Sequence, residues 1–147
     1  MNTARTRGFS LLELLVVLAI AAMLALLATD GYAAVRARAA RHEVRMALWR
    51  LAAAQETHRL NYGFYATRLG STPGGPAIAG ELTPPALPPA GWQFALLEVA
   101  PESWALRATA TDGAMDPECV ELRLDVTGLG TARATDGSDT SRVCWRR

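Results

Sequence analysis

The sequence predicts an α+β fold: one long N-terminal helix, apolar in its first half, packed on a small antiparallel β-sheet head with a C-terminal disulfide loop. Three observations predict it. An apolar run with one charge, Leu11 to Ala28, leads without a break into an Ala-rich segment with helical spacing. Segments of strand-like alternation follow in the second half of the chain. Two cysteines, Cys119 and Cys144, bracket its end. At 147 residues there is room for one domain plus an anchor.

The N-terminal element comes first. Met1 to Gly8 is polar and basic, and the next eighteen or so residues are apolar. An ordinary secretory signal is cut after its apolar region, and Ala21-Ala22-Met23 loosely offers a small-residue site. Against that reading, the apolar run continues directly into an amphipathic helix. Leu11 to Ala28 is about 27 Å long as a helix, close to the hydrocarbon thickness of a bilayer. Charge does not orient it: Arg5 and Arg7 stand on one side, Arg36, Arg38, Arg41 and Arg45 on the other. Glu13 is the exception inside the run. A carboxylate there costs a few kcal/mol at mid-bilayer and less near an end, and is a functional candidate by default. The competing reading is local, because Ser10-Leu11-Leu12-Glu13 fits the S-x-x-E capping box of a helix start.

Gly8-Phe9-Ser10-Leu11-Leu12-Glu13-Leu14-Leu15-Val16-Val17 resembles the processing and methylation site of type IV prepilins and type II secretion pseudopilins. A basic leader ends in Gly, then come Phe, an acid at the fifth mature position, and a long apolar stretch. The resemblance implies a pilin fold and four segments: a leader at 1–8, a transmembrane and filament-core helix at 9–30, its amphipathic second half at 31–60, and a globular head at 61–147. It implies that a prepilin peptidase cuts between Gly8 and Phe9 and that Phe9 becomes the N-methylated terminus. It further implies that Glu13 pairs with the α-amino group of a neighbouring Phe9 in a dry filament core, where a buried carboxylate needs a cation. The N-terminus would then be cytoplasmic and the head periplasmic, in a single-pass inner-membrane protein that moves into a filament at the cell surface. Its partners would be other pilin subunits, the peptidase and an inner-membrane assembly platform.

The second half of the helix, Tyr32 to about Leu60, carries Val35, Ala39, His42, Met46, Trp49, Ala53 and Leu60 as one stripe, widened by Val44, Leu48 and Leu51. That stripe is expected to carry the head. Arg36, Arg38, Arg41, Arg45 and Arg50 lie largely off it, either as a solvated face or as contacts to other subunits or lipid headgroups. The whole helix would run about fifty residues, roughly 75–80 Å. Many members of the resembled family have a Gly and a Pro in this helix; here Ala22 and Asp30 stand at those approximate places, with Thr29-Asp30-Gly31 as the weaker helix formers.

Asn61 to Gly91 holds six of the eight prolines and reads as loop. Tyr62-Gly63-Phe64-Tyr65-Ala66 reads as an aromatic turn on the helix end and also resembles the N-G-x-Y-A segment after the long helix of many minor pilins. Trp92–Val99, Trp104–Thr111 and Val120–Val126 read as strands, the last two alternating cleanly, and Thr131–Thr135 as a short fourth. Two cysteines in a chain with an export segment favour a disulfide, whose loop of about 25 residues stabilises by roughly 3 kcal/mol; the other reading is two reduced buried thiols. The stretch from Cys119 through Thr127-Gly128 to Cys144-Trp145 resembles the C-terminal Cys-to-Cys loop of PilE-like minor pilins.

No catalytic constellation, phosphate loop or metal-ligand spacing is present, so the sequence points to no enzyme, no metal and no cofactor. His42 and His58 read as surface or helix–head contacts. The function expected is that of a minor pilin subunit that joins or primes a type IV pilus. Two alternatives stand beside it. One is a pilin receptor that binds DNA through Arg133, Arg142, Trp145, Arg146 and Arg147. Against it, residues 61–147 carry seven Arg and ten acids. The other is a type II secretion pseudopilin, which shares the N-terminal segment.

Overall fold

A computed structural model of the chain describes residues 10–76, 78–84, 86, 88–111 and 116–145; for residues 26–34 it describes the backbone alone. The described residues divide into two units, one ending at Arg36 and the other beginning at Ala37. The element order is α1 (Leu11–Tyr62), β1 (Arg68–Leu69), β2 (Glu81–Leu82), β3 (Trp92–Ala100), β4 (Ser103–Ala110), β5 (Glu121–Asp125), β6 (Gly130–Arg133) and α2 (Ser141–Trp145). The architecture is the predicted α+β pilin-like one, with a long helix, a four-stranded antiparallel sheet and a Cys119–Cys144 disulfide.

In the first unit, α1 begins where the Ser10 carbonyl accepts the Leu14 N–H at 3.2 Å, which makes Ser10 the N-cap residue. Every described side chain from Leu11 to Ala25 is exposed, the large apolar ones from 50% at Val16 to 79% at Leu11. Leucines, valines and isoleucine point in all directions, with Glu13 as the one charge. Among the described residues no helix is long and apolar enough to cross a membrane. The apolar run read from the sequence continues to Ala28, beyond the last described side chain of this stretch, Ala25.

In the second unit the sheet is an antiparallel meander, β3-β4-β5-β6. Registers such as Leu106↔Leu124 and Ala108↔Leu122 put apolar residues on one face. Trp104, Leu106, Ala108, Leu122, Leu124 and Ala132 from the sheet join Val44, Leu48, Leu51 and Ala52 from α1 in one core. The three expected strands, one from β propensity and two from alternation, form with boundaries moved by no more than one residue. The short fourth is Gly130–Arg133 in place of 131–135, and β1 and β2 are a two-residue parallel pair inside the expected loop.

The helix stripe is corrected. Val35 (62%), Met46 (42%), Trp49 (47%) and Leu60 (85%) remain exposed, while the residues expected only to widen the stripe, Val44, Leu48 and Leu51, are the buried ones. The Ala-rich helix has two apolar stripes. The one that packs is flanked by Ala52 and by Gln55, whose polar group finds a partner in the head.

The end of α1 is set by Gly63, whose φ of +80° permits the left-handed turn that lets its N–H reach the Arg59 carbonyl at 2.8 Å. Four helix side chains then tie down the aromatic turn. Gln55 donates to the Ala66 carbonyl and accepts the Ala66 N–H, both at 3.0 Å. His58 pairs through Nδ1 with the Phe64 carbonyl at 2.9 Å, and its Nε2 accepts the Gly80 N–H at 3.2 Å. This geometry requires the neutral imidazole with its proton on Nδ1. The Tyr65 hydroxyl donates to Glu56 and accepts from Arg59, with the Arg59 guanidinium 5.0 Å from the Tyr65 ring centroid. Both readings of Tyr62–Ala66 as a turn seated on the helix end and of His58 as a helix–head contact therefore hold.

Candidate functional site

The N-terminal processing segment is only partly described. Gly8 and Phe9 lie outside the described residues. Glu13 sits exposed in the first turn of α1, where its negative charge complements the unpaired N–H groups of the helix start. Ser10, three residues before it, occupies the cap position. The local chemistry of a helix start and an exposed carboxylate on an apolar cylinder thus coexist at Glu13.

At the C-terminal end, the disulfide joins the segment before β5 to α2, with Cα atoms 5.9 Å apart and both cysteines buried. Arg41 of α1 fixes the approach to Cys119. Its Nε and Nη2 donate to the two carboxylate oxygens of Asp116, at 2.5 and 3.2 Å, and Nη2 also lies 3.4 Å from Glu118. Asp116 is only 7% exposed, so the charge-assisted fork removes the cost of burying it. The sequence reads Arg41 as a solvated charge or as a contact to other subunits or lipid headgroups. A long-range pair such as Arg41–Asp116 leaves no periodic trace that would have revealed it.

The residues suggested for DNA contact are placed as follows. Trp145 is half-buried, and its Nε1–H donates to the Thr131 carbonyl at 2.8 Å. Arg133 and Arg142 are exposed and share a neighbour in Asp139. The Asp139 carboxyl is held below the usual carboxylate range, first by the Ser141 hydroxyl and then by the Ser141 amide, with Arg133 and Arg142 adding to the effect. The three residues thus lie in one region, with an acid among the cations. Arg146 and Arg147 lie outside the described residues. Among the described residues no group of three or more His, Cys, Asp or Glu gathers to hold a metal ion.

One arrangement had no sequence forecast. His42, Arg45, Met46 and Trp49 of α1 come together with Gly128, Gly130 and Trp145 around an open groove. The sequence signal was present in the stripe His42-Met46-Trp49, but it was assigned to the core.

Residues 3–29 match the family model described as the prokaryotic N-terminal methylation motif, the type IV prepilin signature. This match supports a pilin or pseudopilin, a structural and not an enzymatic kind of protein. It implies, in general terms, other subunits of that kind and a prepilin peptidase as partners, and it suggests a membrane anchor. No curated protein matches the chain.

Proposed function

We propose that this chain is a type IV pilus subunit, a minor pilin, made as a prepilin in the inner membrane and drawn from it into a filament that it joins or primes. The observation that supports the reading is the exposed apolar helix start that lies within the matched prepilin signature, residues 3–29. Ten large apolar side chains between Leu11 and Leu24 lie open in the single chain. Burying them in lipid and then against other helices is worth on the order of 1.5–3 kcal/mol each, which favours both the membrane and the filament over water. Cleavage after Gly8 leaves Phe9 as a cationic, methylated terminus. Glu13, four residues on, is then the carboxylate that pairs with the terminus of a neighbour and sets the axial register. The head is periplasmic in the precursor and outside in the filament.

Replacing Glu13 with Gln keeps the size and a polar cap but removes the charge. The expected result is a processed, membrane-held protein that no longer enters filaments. Normal incorporation of this variant would reduce Glu13 to a helix cap. Deletion of the chain separates the pilin from the pseudopilin reading: loss of surface pili supports the first, and retained enzymes that are normally secreted support the second.

A further inference from the structure

The side of α1 that the head leaves open carries a pattern of its own. Met46, Trp49 and Leu60 are exposed there, with Ala53 among them. At about 100° per residue, Arg38 and Arg50 fall about 60° to either side of this stripe and about 18 Å apart along the axis. Both are exposed, and among the described residues no carboxylate pairs with either. The chain's own head packs on the other side of α1, on Val44, Leu48 and Leu51. An open apolar stripe between two unmatched cations is the mark of a surface that meets a partner.

The sign of the charge says which partner. Residues 31–60 carry six Arg and two Glu, whereas residues 61–147 carry seven Arg and ten acids. One of the helix arginines, Arg41, already binds the head acids Asp116 and Glu118 within the chain. Arg38 and Arg50 lie off that side and stay unmatched. Packing two such helices stripe to stripe would crowd four guanidiniums along one seam, and like charges oppose it. An acidic head answers both features of the stripe. It brings carboxylates to the two arginines, and its exposed Leu129 and Val143 are apolar counterparts for Met46 and Leu60. A contact between a helix face and a head uses two different patches, so it is heterologous and does not close on a pair.

We propose that this stripe, Met46, Trp49, Ala53 and Leu60 with Arg38 and Arg50 at its flanks, seats the acidic head of a second copy of the chain. The contact rests on the reading of the chain as a filament subunit, and it adds which surfaces meet and the charge that joins them. The test is cross-linking of the full chain in neutral detergent micelles, with Ala53, exposed within the stripe, replaced by the photoreactive p-benzoylphenylalanine. Equal amounts of light and heavy-isotope chain separate links between copies from links within one. Light–heavy links are expected to end in residues 61–147. Arg38→Glu with Arg50→Glu should reduce them at least five-fold, while Arg38→Lys with Arg50→Lys stays within two-fold of the parent. Raising NaCl from about 50 to about 500 mM should reduce them in the same way, and this arm needs no change of charge in the chain. Links that end in residues 10–60 of the other copy, links within one chain only, or a yield indifferent to charge reversal and to salt would each overturn the proposal. So would attachment to detergent alone, which marks a lipid-facing stripe. The readout needs no filament, so its failure is distinct from the outcomes of the Glu13 and deletion experiments, which test the subunit reading.

Discussion

Replacing Gln55 with Leu tests how the head is fastened to the helix. Gln55 is fully buried and gives both ends of its amide to one residue, donating to the Ala66 carbonyl and accepting the Ala66 N–H at 3.0 Å. Ala66 is itself fully buried. A leucine fills nearly the same space but leaves both Ala66 groups without a partner, at about 1–3 kcal/mol each. The added apolar burial returns roughly 1 kcal/mol. The expected net loss is about 1–5 kcal/mol, or on the order of 5–25 °C in Tm for a domain near 100 residues. Urea unfolding of the full chain in micelles, read by near-UV circular dichroism, measures it. Gln55→Glu separates hydrogen bonding from packing. Its carboxylate can accept the Ala66 N–H but faces the Ala66 carbonyl with a second acceptor. Protonation would supply the missing donor, so the Glu variant should regain stability relative to the parent as pH falls through its raised folded pKa. A Leu variant within about 0.5 kcal/mol of the parent, or a Glu variant with no such pH dependence, would refute the reasoning.

Three further outcomes are expected. Replacing Cys119 and Cys144 together with Ser should lower stability by roughly 3 kcal/mol, and adding reductant should produce the same shift in the parent but none in the variant. Arg41→Gln should cost about 1–3 kcal/mol, because Asp116, 7% exposed, loses a two-point partner; the added variant Asp116→Asn should restore part of that loss in unfolding measurements. For Asp125, burial pushes the carboxyl up, but the Thr127 hydroxyl and the Leu129 and Thr127 amides outweigh it, with Arg123 adding, and hold it below the usual carboxylate range. A depressed folded value means the contribution is full above the unfolded pKa and disappears as pH falls through the folded one. Asp125→Asn should therefore flatten part of the acid limb below about pH 4 in a stability-versus-pH series.

The strands were legible because β4 and β5 alternate with period two and their buried face admits only that phase. Leu106, Ala108, Leu122 and Leu124 are all fully buried, as the pattern requires. The helix face was not legible for the converse reason. On an Ala-rich helix, alanines belong to any stripe, and the largest residues, Met46 and Trp49, drew the assignment to a face that remains open. What selected the other face was polar: Gln55 and His58 pair with backbone groups at Phe64, Ala66 and Gly80. Such partners come from the loop's path, which proline and glycine content announces without specifying. α2 was missed because five residues carry too little periodicity to declare a helix, and its position depends on the disulfide and on Ser141 binding the Ala132 N–H.

The candidate sites divide along the same line. The N-terminal segment is legible because its signature is local in sequence order: residues 3–29 match the methylation motif without reference to the fold. The groove is invisible in sequence because Trp49 and Trp145 meet only after the sheet, the disulfide and the glycine turn have formed. The exposed Trp49 that defeated the core assignment is the residue that defines the groove. An aromatic residue on a helical stripe is thus a core residue only if the head supplies a complementary apolar partner. Here the head presents Gly128 to it, a surface that backs the ring without covering it, and the stripe becomes a wall of an open groove.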